Sequence, residues 1–581
     1  MMPLRKESGF VLVFVLFIFM ILLIYGAMFV QRAISEWNVA DRQRRVSQAQ
    51  YITEAATEIA LEQLDAFINE DLRTTINEMN PQLVAKKAKN AVTGGNGIGF
   101  LVDMSFDMPL GTDGTTTSFN QPSTSFSNGS YTYNIIVTEA GDPVLVAPDM
   151  WDFPYNYKIE ATGQVTGTSK TITLTGDFTI RVQRDNFAKY ALFSAHHRTP
   201  SGTIVWFTDT TNFAGPIHTN EHFSFAGDPA LAGFAGFFDG PVTQHLSKAL
   251  FYNSGWPILL DEDLNGVRDI PAFNQGFTRS YQEIVLASSV QKQDMYEQAL
   301  GTHIPTGSGI AVANDGSSLT GGIYVDGDAS IQLGIDANDH AQYTIQQGAT
   351  RKIITVDNYN NQTTVVDPDT GSSATYTGLP DGIYDLGTII YVNGSVTSLG
   401  GGTDQYGQPL PAIQRDTELT ISCENDVVVT NHIRYSEFTD AVGEPGDDDY
   451  VPPNAEGTEN LFGIVAWGGN VIIGNEAPDN VDIHGTILAR SGMFTVDDYD
   501  NYGGSRGVTT LLGGVITEFY GPFGLFNSST GQQLSGYGRN FVYDGRALDG
   551  KSPPYFPTLN AFTSFSNDLT DKIIYWEGSY Y

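Results

Sequence analysis

Three groups of side chains in this sequence have the types and spacing that chemistry requires. The first is Asp261, Asp263, Asn265, Gly266, Val267 and Asp269. Oxygen donors at alternate positions converge on one side of a loop, Gly266 permits the sharp turn, and the Val267 carbonyl can add a ligand. This is the oxygen cage that a hard cation such as calcium takes. The twelfth position is Ala272 in place of a bidentate glutamate. A complete EF-hand is therefore excluded, and a further ligand such as Glu283 would have to come from elsewhere in the chain.

The second group, His218, Glu221 and His222, has the H-x-x-E-H spacing of zinc hydrolases, whose chemistry needs both histidines on one face of a helix. Gly215 and Pro216 precede it and Gly227 and Pro229 follow, which reads as strand and turn. Zinc hydrolysis is not expected, and the neighbouring His196 and His197 read as sheet residues. The third group is acidic: Asp447, Asp448 and Asp449, then Asp497, Asp498 and Asp500. A carboxylate pair could cleave polysaccharide if one acid were a proton donor and the other a nucleophile or base about 5–10 Å away. Sequence neighbours on turns do not provide that geometry, so these read as solvated loops or secondary calcium sites. No nucleophile elbow, P-loop or dinucleotide fingerprint is present.

The elements that position these groups begin with a membrane span. Phe10 to Val30 contains no charged residue and is about 31 Å long as a helix, the thickness of a bilayer's hydrocarbon. Beyond it an apolar stripe continues at helical spacing through Val39, Val46, Ala49, Ile52, Ala56, Ala60, Leu64 and Phe67. Span and stripe read as one helix from Phe10 to Met79, ending at Asn80 before Pro81. This run is too long for the apolar core of a signal peptide, and no small-residue cleavage site follows it.

A basic leader with Arg5 and Lys6 that ends in Gly9, a following Phe10, and a helix half apolar and half amphipathic resemble the N-terminus of type IV pilin-like proteins. The resemblance extends from Met1 to the end of this helix at Asn80. It implies cleavage between Gly9 and Phe10 by a prepilin peptidase, methylation of the new N-terminus, and packing among other pilin or pseudopilin subunits. Major pilins carry glutamate as the fifth residue of the mature chain, whereas this chain has Phe14. Minor pilins of the PilX type and the K-type pseudopilins of secretion systems also lack it, so the resemblance is closest to minor, tip-located members. K-type pseudopilins also hold calcium in their head domains, in keeping with the loop from Asp261 to Asp269. The implied role is assembly priming or surface attachment without turnover. The implied location is the inner membrane as a single-pass protein, then a surface filament. Phe213 to Asn220 and Phe238 to Thr243 further resemble a motif of uncharacterised bacterial surface proteins with pilin-like N-termini, which supplies no activity.

The rest of the chain reads as mostly β, giving an α+β protein overall. Residues 81–130 look like a linker rich in glycine, serine and threonine. Residues 131–185 alternate apolar and polar in four short segments, Tyr131–Val137, Tyr157–Ala161, Lys170–Leu174 and Phe178–Val182, which predict a pilin-like antiparallel sheet. Residues 186–318 are mixed and predict one helix from Tyr281 to Leu300 that closes on Gly301. From Leu319 onward short β-rich segments end on glycine turns, and Ile323-Tyr324-Val325-Asp326-Gly327 is echoed by Ile390-Tyr391-Val392-Asn393-Gly394. These predict the rungs of a β-solenoid, with a β-sandwich as the alternative.

Charge and cysteine usage narrow the partners. With 66 acidic against 30 basic residues the formal net charge is −36, which argues against nucleic acid and favours cations. The single Cys423 rules out an intrachain disulfide and sits in a run that reads as a buried strand. Aromatic residues make up 12% of the chain, enough that a tyrosine-rich rim could bind a surface glycan or protein ligand beyond what the core takes. Two other readings stay open here: a membrane-anchored enzyme acting on polysaccharide, and a permanently anchored envelope scaffold.

Overall fold

The apolar run and the amphipathic stripe form one helix. In the computed structural model, α1 runs from Ser8–Ala66 over 59 residues, about 88 Å, and closes in a π-helical turn, Phe67–Leu72. The structure describes residues 8–72, 116–141, 144–147, 150–208, 211–226, 237–253, 256–260, 271–287, 289–382, 384–443, 449–501, 503–525, 533–566 and 570–580. The expected continuation to Met79 lies outside them.

Only part of the stripe is used. Ala49, Ile52, Ala56, Ala60, Leu64 and Ile68 are buried against a sheet, whereas Val39 is 54% exposed, because the sheet begins only at the level of Arg45. Close approach depends on small residues. A Cβ on Gly163 would lie 2.6 Å from the Ala49 carbonyl oxygen, and the Gly163 N–H instead donates to Thr53 Oγ1 at 3.0 Å.

That sheet is antiparallel, as its alternating sequence predicts. Its strands are β1 (Thr116–Phe126), β2 (Gly129–Glu139), β3 (Val144–Ala147), β4 (Met150–Val165) and β5 (Thr168–Asn186). β1, β2, β4 and β5 lie in that order, with β3 paired to β4. Two expectations are corrected. Lys170–Leu174 and Phe178–Val182 are one strand within β5, because the Tyr157 ring covers Gly176, where a Cβ would meet it at 2.7 Å, and the chain runs straight through. β1 falls within the expected linker. It is an edge strand, which needs few apolar residues, and Phe119 contributes one by packing on Phe67 with ring centroids 4.6 Å apart.

The C-terminus returns to this sheet. Thr558–Ser566 and Thr570–Tyr580 pair antiparallel along the outer edge of β5, from Thr558 opposite Asn186 to Tyr580 opposite Thr168. Residues 319–581 are thus not a separate body, as their texture suggested. A long-range pairing of this kind leaves no mark in local sequence.

Between these ends most described strands pair in parallel, the main exception being an antiparallel meander from Ala329–Ile335 to Ser372–Thr377. An eleven-stranded sheet, a nine-stranded sheet and a three-stranded sheet share the chain. From Leu461–Ala466 the chain passes to Val471–Ile473 and then to Asp482–His484, before it returns to the first sheet at Thr486–Ala489. The internal echo consists of neighbours in register: Ile323 pairs Ile390, Tyr324 pairs Tyr391 and Val325 pairs Val392. The two tyrosine rings stack with centroids 6.5 Å apart. At the turn between the first two sheets, polar side chains reach the next strand's backbone. Asp328 accepts from the Ser395 N–H at 2.7 Å, Asp426 from Asn470 at 2.7 Å, and Asn470 Oδ1 from Met493 at 3.0 Å. The glycines at Gly394, Gly469 and Gly492 leave room for them.

The expected boundary at Leu319 is corrected as well. Leu192–His196, Ile217–Thr219, Val242–Gln244 and Phe277–Thr278 belong to the same eleven-stranded sheet, and Leu192–His196 pairs with Val515–Phe519. The expected helix is shorter, Ser289–Leu300, because Asn220 ties the backbone N–H and carbonyl of Ile284 into an extended course. It ends on Gly301 at φ +51° as its sequence predicts. This helix and the Tyr555 and Phe556 region cover the outer face of the large sheet. Strands such as Thr388–Val392 are therefore buried at every position. Cys423 is also buried in its strand, and burial pushes its thiol up to about 12.

Candidate functional site

The motif residues separate when placed on the fold. Asp261, Asp263, Asn265, Val267 and Asp269 lie outside the described residues, between the strands Trp256–Leu260 and Ala272–Phe273. Among the described residues no cluster of three or more His, Cys, Asp or Glu converges to hold a metal ion.

His218 lies on the buried strand Ile217–Thr219, with Nδ1 2.8 Å from Thr243 Oγ1 and Nε2 2.9 Å from Asn220 Oδ1. Burial lowers its pKa to about 4. Glu221 instead pairs with Arg198 at 2.9 Å and lies 3.0 Å from His196. The H-x-x-E-H spacing therefore falls on a strand and bend, and its two histidines do not share a helical face. His197 is enclosed by the rings of Phe207, Phe223 and Tyr520 at 4.6 to 5.0 Å, and burial drives its pKa down to about 3. Asp497, Asp498 and Asp500 are exposed. Asn475 donates to Asp497 at 3.0 Å and to Asp498 at 3.2 Å, which is turn chemistry. Asp449 is also exposed, and Asp447 and Asp448 lie outside the described residues.

The remaining candidate is α1. Every residue from Phe10 to Ala40 is exposed, about 46 Å of helix, including Phe10 at 79% and Phe14 at 58%. Leaving this much apolar surface in water costs about 25 cal/mol per Å², so lipid or other helices must cover it. Among the described residues it is the one helix long and apolar enough to cross a membrane. Arg32 pairs with Glu36 at 3.0 Å and Arg44 with Asp41 at 2.7 Å. Arg45 also holds Asp41, keeping its carboxyl below the usual range, and reaches the Thr166 carbonyl oxygen at the β4–β5 turn at 3.3 Å. From that point the helix is fixed. Thr53 Oγ1 reaches the Lys170 carbonyl oxygen at 3.1 Å, and Gln63 meets the Tyr133 hydroxyl. Sequence reading identified the apolar contacts of this joint and missed Thr53, Gly163 and Arg45. The small residues at Ala49, Ala56 and Ala60 were the available sign that a backbone comes close.

Residues 152–236 match a family model described as a domain of unknown function, DUF4900. The match takes in most of β4, all of β5 and the first parallel strands, and is too short a share of the chain to establish membership. Among curated proteins there is no match. Among solved structures, the competence-associated pilin ComZ from Thermus thermophilus aligns over 92% of this chain and 98% of its own, at 11% identity and a TM-score of 0.27. That score establishes no common fold.

Proposed function

We propose that this chain is a pilin-like subunit that assembles through α1 and carries its β-rich head outside the cell. The supporting observation is the division of α1: an exposed apolar half continuous with a half docked on an antiparallel sheet. Before assembly the apolar half crosses the inner membrane. A prepilin peptidase then cuts between Gly9 and Phe10, and the freed helix packs beside those of other pilin or pseudopilin subunits. Phe14 brings no carboxylate to pair with a neighbour's amino terminus. The finer proposal is thus that copies of this chain begin the filament and lie near its tip, in the manner of PilX-type minor pilins. The parallel sheets act as a solenoid-like scaffold that displays a binding surface to a glycan or protein ligand, with no turnover.

Mass spectrometry of the N-terminus, on protein from membranes and separately from sheared filaments, tests this. The expected species in filaments begins at N-methylated Phe10. An intact leader confined to membranes would overturn the proposal and favour the anchored scaffold. Calcium held by Asp261, Asp263, Asn265, Val267 and Asp269 is part of the same proposal. EDTA should lower the melting temperature of the wild-type chain by several degrees and leave that of Asp263→Ala unchanged; an equal response in both would remove the metal.

A further inference from the structure

The solvent face of the docked half of α1 is lined by carboxylates. Glu54, Glu58, Glu62 and Asp65 follow one another by four, four and three residues, so they form one stripe. It lies opposite the buried Ala49, Ala56, Ala60 and Leu64. Glu58, Glu62 and Asp65 are exposed. Glu54 and Asp65 accept from the neutral amides of Gln50 and Asn69 at 3.1 and 3.0 Å, and no lysine or arginine occurs between Val46 and Leu72. Like charges at this spacing repel one another and destabilise a helix. The arginines lie lower on the same helix: Arg32, Arg42, Arg44 and Arg45, set against Glu36 and Asp41, which pair with Arg32, Arg44 and Arg45 and leave the segment net positive. All but Arg45 are well exposed, with Arg32 at 77% and Arg44 at 70%.

We infer that the acidic stripe of one copy docks against the arginine segment of a second copy raised along the helix axis. The centres of the two charge groups are about 19 residues, or about 28 Å, apart. Two copies side by side in a membrane would set acid against acid and arginine against arginine. A copy lifted by that distance, nearly the length of its apolar span, sets opposite charges together. The charge pattern therefore disfavours lateral association in the bilayer and favours the axial offset that a filament requires. This rests on the filament reading, and it deepens that reading by naming the partner surface and its register.

Disulfide cross-linking of full-length chains tests it. Ser47 and Ala66 are exposed and separated along α1 by the same interval as the two charge groups, and the buried Cys423 does not compete. In cells expressing Ser47→Cys and Ala66→Cys chains together, mixed dimers should predominate in sheared filaments. Adding Glu58→Lys and Glu62→Lys to the Ala66→Cys chain should cut their yield about tenfold. Adding Arg42→Glu and Arg44→Glu to the Ser47→Cys chain should restore it. Filaments that contain the protein but yield mainly Ser47–Ser47 dimers, or that ignore charge reversal, would overturn the offset alone. Absence of the protein from filaments would overturn the filament reading, and the offset with it.

Discussion

At the scale of single residues, the buried histidines matter for stability. His197 has a pKa near 3 inside its aromatic cage, against about 6.5 in an unfolded chain. The unfolded state therefore takes up the proton first, and stability is lost as the pH falls from about 6.5 toward 3. At pH 5 the loss from this residue is about 2 kcal/mol. His218 and His484 shift in the same direction. Asp381 and Glu418, both raised to about 7 by burial, act oppositely, since their contributions are lost as the pH rises from the ordinary carboxyl range to about 7. A His197→Phe chain keeps the ring packing and removes the proton. Its melting temperature should fall less between pH 7 and pH 5 than that of the wild type. Parallel melting curves would show that His197 is not a source of acid sensitivity.

Elements differ in how legible they are. α1 could be read from composition, because an uncharged run and a period of 3.6 residues are local signals. The echo from Ile323 and Ile390 could also be read, since strands that stack in register repeat their side chains. β1 could not, because an edge strand needs little apolar content to pair. Nor could the last strands, whose partner β5 precedes the whole set of parallel sheets in the chain. The motif from His218 to His222 shows that a letter pattern alone carries no information about the backbone beneath it; the flanking Gly215, Pro216, Gly227 and Pro229 were what marked strand and turn. The sheet edge gives a direct test. A chain ending at Pro557 leaves the outer N–H and C=O groups of β5 unpaired, an aggregation template. It should elute from size exclusion largely as oligomers and melt several degrees lower. A monodisperse truncated chain of unchanged melting temperature would mean that the last strands add nothing to the sheet.

For the whole molecule, the eleven-stranded sheet is entered and left near its middle. Leu192–His196 follows directly from β5, and its parallel neighbour Val515–Phe519 precedes the return to β5. β5 and the C-terminal strands are thus held side by side at the base of the head, and the β4–β5 turn at one end of this group carries the Thr166 carbonyl oxygen that Arg45 reaches. This closure has a mechanical consequence. If a ligand held on the parallel sheets pulls against an anchored α1, the load enters β5 along its length. The hydrogen bonds that join β5 to β4 and to the C-terminal strands lie across that direction. They are loaded in shear, many at once, instead of being peeled one by one, so the head is built to stay folded under tension.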